Sequence, residues 1–241
     1  MTRGQGPLLR VEHLDVAYGD VQVLWDVSLD VAADEMVALV GANGAGKTTL
    51  LSAISGLLRP RSGSITFDGG PIGGAPTKRI VELGIAHVPE GRRLFPAMSV
   101  RDQLVLGAFR RRDRGEVKAD LEHVLTLFPR LRDRLHALGG TLSGGEQQMA
   151  AIARGLMARP RLLMIDELSL GLAPVVVESL VEILQRVNRD GTAVLLVEQD
   201  VQTALEIATR GYVLERGKVA LAGAAAALLR DERVRQAYLG V

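Results

Sequence analysis

The sequence predicts an α/β fold in which helices flank a mostly parallel sheet, with an antiparallel β portion at the N-terminal end and an inserted helical subdomain. Three observations predict it. Short apolar runs alternate with helical stretches through much of the chain, which favours a parallel sheet. Two strand-like runs open the chain with no helix between them. An arginine-rich stretch at 90–142 interrupts the alternation with helical periodicity.

The elements predicted before this stretch are mainly strands. We expect strands at 11–18, 23–31, 36–40, 63–68 and 84–88, and a helix at 47–58. Gly19 and Asp20 mark a turn between the first two strands, and Arg59 with Pro60 closes the helix. The glycine-rich stretch at 69–74 is expected to be a surface loop.

The remaining elements follow the same alternation after the helical lobe. Within the lobe, helical periodicity covers 100–109 and 117–128. Beyond it we expect helices at 144–157, 174–187 and 201–209, strands at 161–165 and 193–197, and a hairpin of 212–215 with 218–221. The chain therefore reads as one domain over 8–241, with its core at 8–89 and 143–241 and the lobe at 90–142.

The composition excludes several classes of protein. Of 241 residues, 47% are hydrophobic and 24% charged, unlike collagen or a disordered chain. The formal net charge of +1 gives no general attraction for nucleic acid or anionic lipid. The chain has no cysteine, which excludes disulfides, a thiolate nucleophile and cysteine-type zinc sites. No apolar run approaches the roughly 18–20 residues of a membrane span, so a membrane role would require a partner.

A phosphate-binding loop is predicted between the strand at 36–40 and the following helix. Its residues fit the pattern G-x-x-x-x-G-K-[ST] and are Gly41, Ala42, Asn43, Gly44, Ala45, Gly46, Lys47 and Thr48, with Thr49 next to them. Converging backbone N–H groups and the helix N-terminus favour an anion there. Lys47 can reach the β- and γ-phosphates, and the Thr48 hydroxyl can bind Mg²⁺. The alternative is a glycine turn that happens to precede Lys-Thr.

Two acids end the apolar strand at 161–165. Asp166 suits a direct or indirect role in binding Mg²⁺, and Glu167 is placed to activate water for attack on a γ-phosphate. On its own, such a pair could equally be a solvated strand end. Together with the phosphate loop it predicts a site that binds and hydrolyses a nucleoside triphosphate.

The sequence Leu-Ser-Gly-Gly-Glu-Gln-Gln at 142–148 resembles the signature of ATP-binding cassette (ABC) proteins. That resemblance implies ATP and Mg²⁺ as cofactors and a head-to-tail dimer. Each ATP would lie between the phosphate loop of one subunit and the signature of the other, held there by Ser143, Gly144, Gly145 and Glu146. The alternative for these residues is an ordinary capped helix start.

Further positions fit the same family, with some departures. Tyr18 stands where the family stacks an aromatic ring on adenine, the alternative being local packing of a strand residue. Residues 169–172 stand at the place of the loop that crosses the dimer interface. Leu168 stands where proline is usual, and Ala173 where aspartate is usual.

Two replacements point to one branch of the family. Glu90 stands where glutamine is usual, at the metal, and Gln199 stands where the histidine that senses the γ-phosphate is usual. This combination resembles the LivF-type ATPase subunits of branched-chain amino acid importers. The resemblance extends over 8–240 and is carried by Pro-Glu-Gly-Arg-Arg at 89–93, Ser-Leu-Gly-Leu-Ala-Pro at 169–174, Val-Glu-Gln at 197–199 and the tail segments 210–215 and 234–240.

The resemblance implies an ATPase that drives amino acid uptake through separate permease subunits. It would lie on the cytoplasmic face of the membrane, pair with a second ABC ATPase subunit as a homodimer or heterodimer, and work indirectly with a periplasmic or extracellular substrate-binding protein. The alternative is a soluble ABC ATPase unconnected to transport. No nucleic acid is expected, because the arginines at 110–134 lack interleaved aromatic residues and read as a solvated helical face.

Overall fold

The computed structural model describes residues 6–239, which form two sheets and a set of helices. The strands are β1 (Leu9–Tyr18), β2 (Val21–Val31), β3 (Met36–Val40), β4 (Ser62–Phe67), β5 (Gly70–Pro71), β6 (Ile85–Val88), β7 (Leu162–Asp166), β8 (Ala193–Glu198), β9 (Arg210–Glu215) and β10 (Lys218–Ala224). The helices are α1 (Lys47–Ile54), α2 (Thr77–Glu82), α3 (Val100–Gly107), α4 (Arg114–Leu127), α5 (Pro129–Asp133), α6 (Gly144–Leu156), α7 (Pro174–Arg189), α8 (Val201–Ile207), α9 (Ala225–Leu228) and α10 (Glu232–Val234). A short 3₁₀ turn covers Gly139–Thr141, and a π turn covers Arg235–Leu239.

The larger sheet has the order β10-β9-β3-β8-β7-β6. Its pairs from β9 to β6 are parallel, and β10 pairs antiparallel with β9. Every residue of β3, β7 and β8 is buried, as expected for parallel strands covered on both faces. The carboxyl ends of β3, β7 and β8 therefore lie side by side at one edge, where the sequence places its phosphate loop and acids.

The smaller sheet is antiparallel, in the order β2-β1-β4-β5. An ionic junction ties it to the larger sheet. Arg210 Nη2 donates to Asp30 Oδ2 at 2.7 Å, and Arg210 Nε donates to Glu35 Oε1 at 2.7 Å. The Tyr212 hydroxyl accepts from the Asp30 backbone N–H at 3.1 Å. One hydrophobic core lies between the two sheets and around α1, and a second joins the larger sheet to the helical lobe.

The lobe contains α3, α4 and α5 and packs on α6. Several arginines that the sequence assigned to a solvated face make ion pairs: Arg110 with Glu82, Arg111 with Asp113 and Asp120, Arg132 with Glu122, and Arg134 with Glu146. Within residues 6–239, no helix is both long and apolar enough to cross a membrane.

The predicted fold class is confirmed, with differences at single elements. The helix expected at 47–58 ends at Ile54, because Ser55 caps it and Gly56 takes a left-handed φ of +70°. The stretch expected to be a loop at 69–74 contains β5, whose Gly70 pairs with Phe67. Short helices α2, α5 and α9 were not predicted. The last two residues of the expected domain, 240 and 241, lie outside the described residues.

Candidate nucleotide site

The loop from Gly41 to Gly46 is wedged between the two sheets. A Cβ at Gly41 would lie 2.3 Å from the carbonyl oxygen of Leu214, and a Cβ at Gly46 would lie 2.5 Å from a methyl carbon of Leu24. Gly46 also has a φ of +108° and precedes α1 with no side-chain cap. As in any α-helix, the first N–H groups of α1 have no intrahelical partner, and they follow directly on the loop. The close contacts described above explain why glycine is required at both positions.

Lys47 begins α1 and is 5% exposed. Its Nζ donates to the carbonyl oxygens of Gly41 at 2.8 Å and Ala42 at 3.4 Å, and lies 3.3 Å from Glu167 Oε1. A buried cation is tolerated only when it is paired and hydrogen-bonded, and these contacts supply both.

The two acids after β7 differ in their surroundings. Asp166 is 1% exposed, and neither of its carboxyl oxygens has a hydrogen-bond partner among the described residues. Burial raises the pKa of Asp166; the nearby Thr48 hydroxyl opposes the rise without reaching hydrogen-bond geometry. Glu167 has a left-handed φ of +57°. Its backbone N–H donates to Val197 O at 2.9 Å, and its Oε2 accepts from the Gln199 N–H at 3.3 Å.

A cavity of about 370 Å³ brings most of the predicted site residues together. Its walls include residues of the phosphate loop and the start of α1, the acid Glu167, and the two positions where the sequence departs from the family pattern, Glu90 and Gln199. The loop and helix residues are Asn43, Gly44, Gly46, Lys47, Thr48 and Thr49, and Val23 and Leu170 complete the lining. Four predicted site residues of the loop and the acid pair do not line this cavity: Gly41, Ala42, Ala45 and Asp166. A larger cavity of about 500 Å³, between the lobe and α7, contains none of these residues.

Tyr18 and the signature turn lie outside this cavity. Tyr18 ends β1 and is 52% exposed. Ser143 caps α6: its Oγ accepts from the Glu146 N–H at 3.3 Å, and its own N–H donates to Glu146 Oε2 at 2.8 Å. The backbone hydrogen bond from Ser143 lowers the pKa of Glu146. Gly144 and Gly145 begin the first turn after this cap and are half-buried.

Two arginines that sequence reasoning did not assign to the site connect these parts. Arg92 Nη2 donates to Leu170 O at 3.2 Å, and a Cβ at Gly144 would lie 3.3 Å from Arg92 Nη1. Arg154 of α6 donates to the carbonyl oxygens of Arg93 at 3.0 Å and Arg92 at 3.4 Å. The sequence signal for Arg92 was the pair of adjacent arginines in the segment at 89–93. Its role could not be predicted, because the residues that it contacts are remote in sequence.

Comparisons with known proteins agree with this arrangement. Residues 24–169 match the ABC transporter family. The chain is 46% identical to the high-affinity branched-chain amino acid transport ATP-binding protein BraG of Pseudomonas aeruginosa, over 97% of this chain and 100% of BraG. It is 37% identical to the probable branched-chain amino acid transport ATP-binding protein LivF of Archaeoglobus fulgidus, over 97% of this chain and 99% of that protein.

Solved structures give the same assignment. The ATP-binding subunit of an ABC transporter superposes with a TM-score of 0.83 at 32% identity, over 97% of this chain and 96% of that one. A dimeric ABC cassette superposes with a TM-score of 0.81 over 90% of this chain and 98% of its own length, and its 23% identity supports the fold alone. The chain belongs to the ABC transporter family of ATP-binding proteins.

Proposed function

We propose that this chain is the ATP-hydrolysing subunit of an importer for branched-chain amino acids. The observation that carries the proposal is the near full-length identity to BraG and LivF, 46% and 37%. The lipopolysaccharide export protein LptB of Haemophilus influenzae is also similar, at 33% identity. The higher identities favour import, and transporter subunits at this similarity disfavour a soluble ATPase unconnected to transport.

ATP would bind with its phosphates on the loop N–H groups and Lys47, and with adenine against Tyr18. The residues present suit Mg²⁺. Asp166 is a buried carboxyl with no hydrogen-bond partner within residues 6–239, and Thr48 and Glu90 add oxygen ligands, the type that Mg²⁺ prefers. Residues 6–239 contain no cluster of three or more histidine or acidic side chains that could hold a metal, so phosphate oxygens and water would complete the coordination. Bound Mg²⁺ would neutralise charge on the phosphates.

Glu167 would take the proton of the attacking water. Its carboxylate lines the cavity, and the Gln199 N–H and Lys47 fix its orientation. The side chain of Gln199 lines the same cavity and would donate a hydrogen bond to the γ-phosphate.

A second ABC subunit, identical or different, would complete the site. Ser143, Gly144 and Gly145 present a helix N-terminus, which favours anions, yet they lie outside this chain's own cavity. They would therefore contact the ATP held by a partner subunit, with Glu146 securing the turn.

The permease would contact a groove of about 380 Å³ between the lobe and the core. Phe95 lines it and is 52% exposed, and Leu106 and Ala158 add apolar surface while Arg93 and Arg154 add charge. This contact would place the chain at the cytoplasmic face of the membrane, and a substrate-binding protein would act through the permease.

Two variants test the function in the assembled transporter. We expect Lys47→Ala to abolish tight ATP binding in calorimetry, because it removes the loop's cation from the phosphates.

We expect Glu167→Gln to bind ATP, lose about 10²–10⁴-fold in turnover and accumulate as a closed dimer. Uptake of labelled leucine, isoleucine and valine into vesicles tests the substrate class.

The exposed residues Lys78 and Glu178 provide matched controls as Lys78→Ala and Glu178→Gln. Unchanged ATP affinity in Lys47→Ala would contradict the loop assignment, and near-normal hydrolysis in Glu167→Gln would move the base elsewhere. ATP-driven uptake of other solutes in place of these amino acids would contradict the proposed substrate class and leave the proposed ATPase role standing.

A further inference from the structure

Glu198 is a carboxyl at the end of an otherwise apolar strand. It follows five apolar residues of β8 and is 1% exposed. Both of its oxygens accept hydrogen bonds from one residue of the next connection: Ser169 N–H donates to Oε1 at 2.8 Å, and Ser169 Oγ donates to Oε2 at 3.1 Å. No salt bridge to Glu198 occurs within residues 6–239. Ser169 therefore donates both of these hydrogen bonds, and the Glu167 carboxyl is a further polar neighbour of Glu198.

These bonds belong to a larger set that joins the ends of β7 and β8. Glu167 N–H donates to Val197 O at 2.9 Å, and Gln199 N–H donates to Glu167 Oε2 at 3.3 Å. With the two bonds from Ser169 to Glu198, four hydrogen bonds join Glu167 and Ser169 to residues 197–199. We name this set of contacts the strand-end brace. It holds the candidate base on one side and Gln199 on the other.

A purely structural role does not account for a carboxyl at this position. Burial raises the pKa of Glu198 to about 7, with the nearby Glu167 charge adding to the rise. Burying such a group is unfavourable compared with the apolar side chains along the rest of β8. Glu198 also does not line the nucleotide cavity, whereas Glu167 and Gln199 do. It is thus poorly placed to take a proton from the attacking water itself.

We propose that Glu198 is a positioning residue for ATP hydrolysis, which anchors Ser169 so that Glu167, Gln199 and the segment 169–172 keep their places around the γ-phosphate. The proposal rests on the proposed ATPase function. It assigns Glu198 an effect on turnover and none on nucleotide affinity, because Glu198 neighbours the candidate base Glu167 but does not itself line the nucleotide cavity.

The experiment measures kcat and KM for ATP in the assembled transporter for Glu198→Ala, Glu198→Gln and Ser169→Ala. We expect Glu198→Ala to lower kcat about tenfold with KM within about twofold, since two hydrogen bonds are lost. Glu198→Gln should retain a rate within about threefold of wild type, because the amide oxygen accepts from Ser169 N–H and the amide nitrogen can donate to Ser169 Oγ.

The remaining variants test the pairing. Ser169→Ala keeps its backbone N–H and should lose less than Glu198→Ala. The double variant should be no slower than Glu198→Ala alone, as expected for two residues acting through one contact. Thermal melting monitors folding. If Glu198→Ala unfolds at the assay temperature, the comparison is with wild type: the proposal requires a Glu198→Gln rate within about threefold of wild type and a lowered kcat with unchanged KM in Ser169→Ala.

A Glu198→Gln variant as slow as Glu198→Ala would overturn the proposal, because charge and not anchoring would then matter. Wild-type kcat in Glu198→Ala, or a raised KM with kcat unchanged, would overturn it as well. A wild-type transporter that hydrolyses no ATP would instead overturn the proposed function, and this inference with it.

Discussion

Gln199 contributes to the site through two different groups. Its backbone N–H donates to Glu167 Oε2 at 3.3 Å, and the residue lines the nucleotide cavity, where its side chain is proposed to reach the phosphate. A glutamine amide donates one neutral hydrogen bond and takes up no proton near neutral pH, whereas histidine titrates there. Truncation of the side chain would therefore remove the proposed contact to phosphate and leave the backbone contact to Glu167 intact.

We expect Gln199→Ala to slow ATP turnover about tenfold, the effect of one hydrogen bond. Gln199→His should be tolerated and should add a pH step near the ordinary histidine pKa of about 6.5, which the wild type lacks. A pH–rate profile of the three proteins in the transporter measures both. Gln202→Ala, at a nearby exposed position, is the control, and an unaltered rate in Gln199→Ala would refute a role for the side chain.

Residues recognisable by local pattern could be predicted from the sequence, and those defined by distant partners could not. Lys47 and Thr48 follow from an uninterrupted motif, and Asp166 and Glu167 from the end of an apolar strand. Glu198 contacts a residue 29 positions away and Arg92 one 78 positions away. Such contacts depend on which strand ends become neighbours, which no local pattern encodes.

At the scale of elements, the signature turn has a structural role of its own. The reciprocal bonds between Ser143 and Glu146 form a capping box at the start of α6, and α6 packs on α3 and β6. Because Ser143 does not line the cavity of its own chain, its contribution to stability is separable from nucleotide binding by the isolated subunit.

We expect Ser143→Ala to lower the free energy of unfolding by about 1 kcal/mol, the usual effect of losing such a cap. Ser143→Thr keeps the hydroxyl and should lose much less. Urea titration measures the change, and calorimetry on the isolated chain should give the same ATP affinity for all three proteins. A weakened affinity in Ser143→Ala would show that the turn reaches its own chain's nucleotide.

The limits of individual elements were harder to predict than their existence. The hairpin of β9 and β10 forms around Arg216 and Gly217 as its turn signal indicates. The helix at 47 ends early because the chain must turn at Gly56. The helix α5 has five residues, too few for periodicity to stand out from sequence noise.

At the scale of the whole molecule, the order of the larger sheet is what assembles the site. The strand β3 lies between β8 and β9 although it is far from both in the chain. Alternation of strands and helices predicts a parallel sheet but leaves the order open. The ion pairs of Arg210 with Asp30 and Glu35, which join the two sheets, could not be predicted from the sequence either, because Arg210 is far from both partners in the chain.

His87 connects β6 to the helix of the phosphate loop and makes global stability depend on pH. Its Nδ1 lies 2.9 Å from Ser55 Oγ, its Nε2 has no partner among the described residues, and burial lowers its pKa to about 4. A histidine with a lowered pKa when folded contributes stability that is present above its unfolded pKa and is lost as pH falls towards 4. Glu198, with its pKa raised to about 7, acts in the opposite direction.

We therefore expect the advantage of wild type over His87→Gln to shrink by about 2 kcal/mol between neutral pH and pH of about 5. Comparing the two proteins removes the contribution of Glu198, which both contain. Denaturant titrations across this range give the difference, with His123→Gln, at an exposed position, as control. A difference that does not vary with pH would show that His87 is protonated as readily in the folded chain as in the unfolded one.

The contact between Lys47 and Glu167 has a consequence for nucleotide binding. The cation assigned to the phosphates lies 3.3 Å from the candidate base and donates to the carbonyl oxygen of Gly41 at 2.8 Å. In the proposed mechanism, a triphosphate would compete with these oxygen atoms for the ammonium group, so binding would exchange one counter-ion for another. The Glu167 carboxylate would then lose its cation only when a nucleotide is bound, which would couple the reactivity of the proposed base to occupancy of the site.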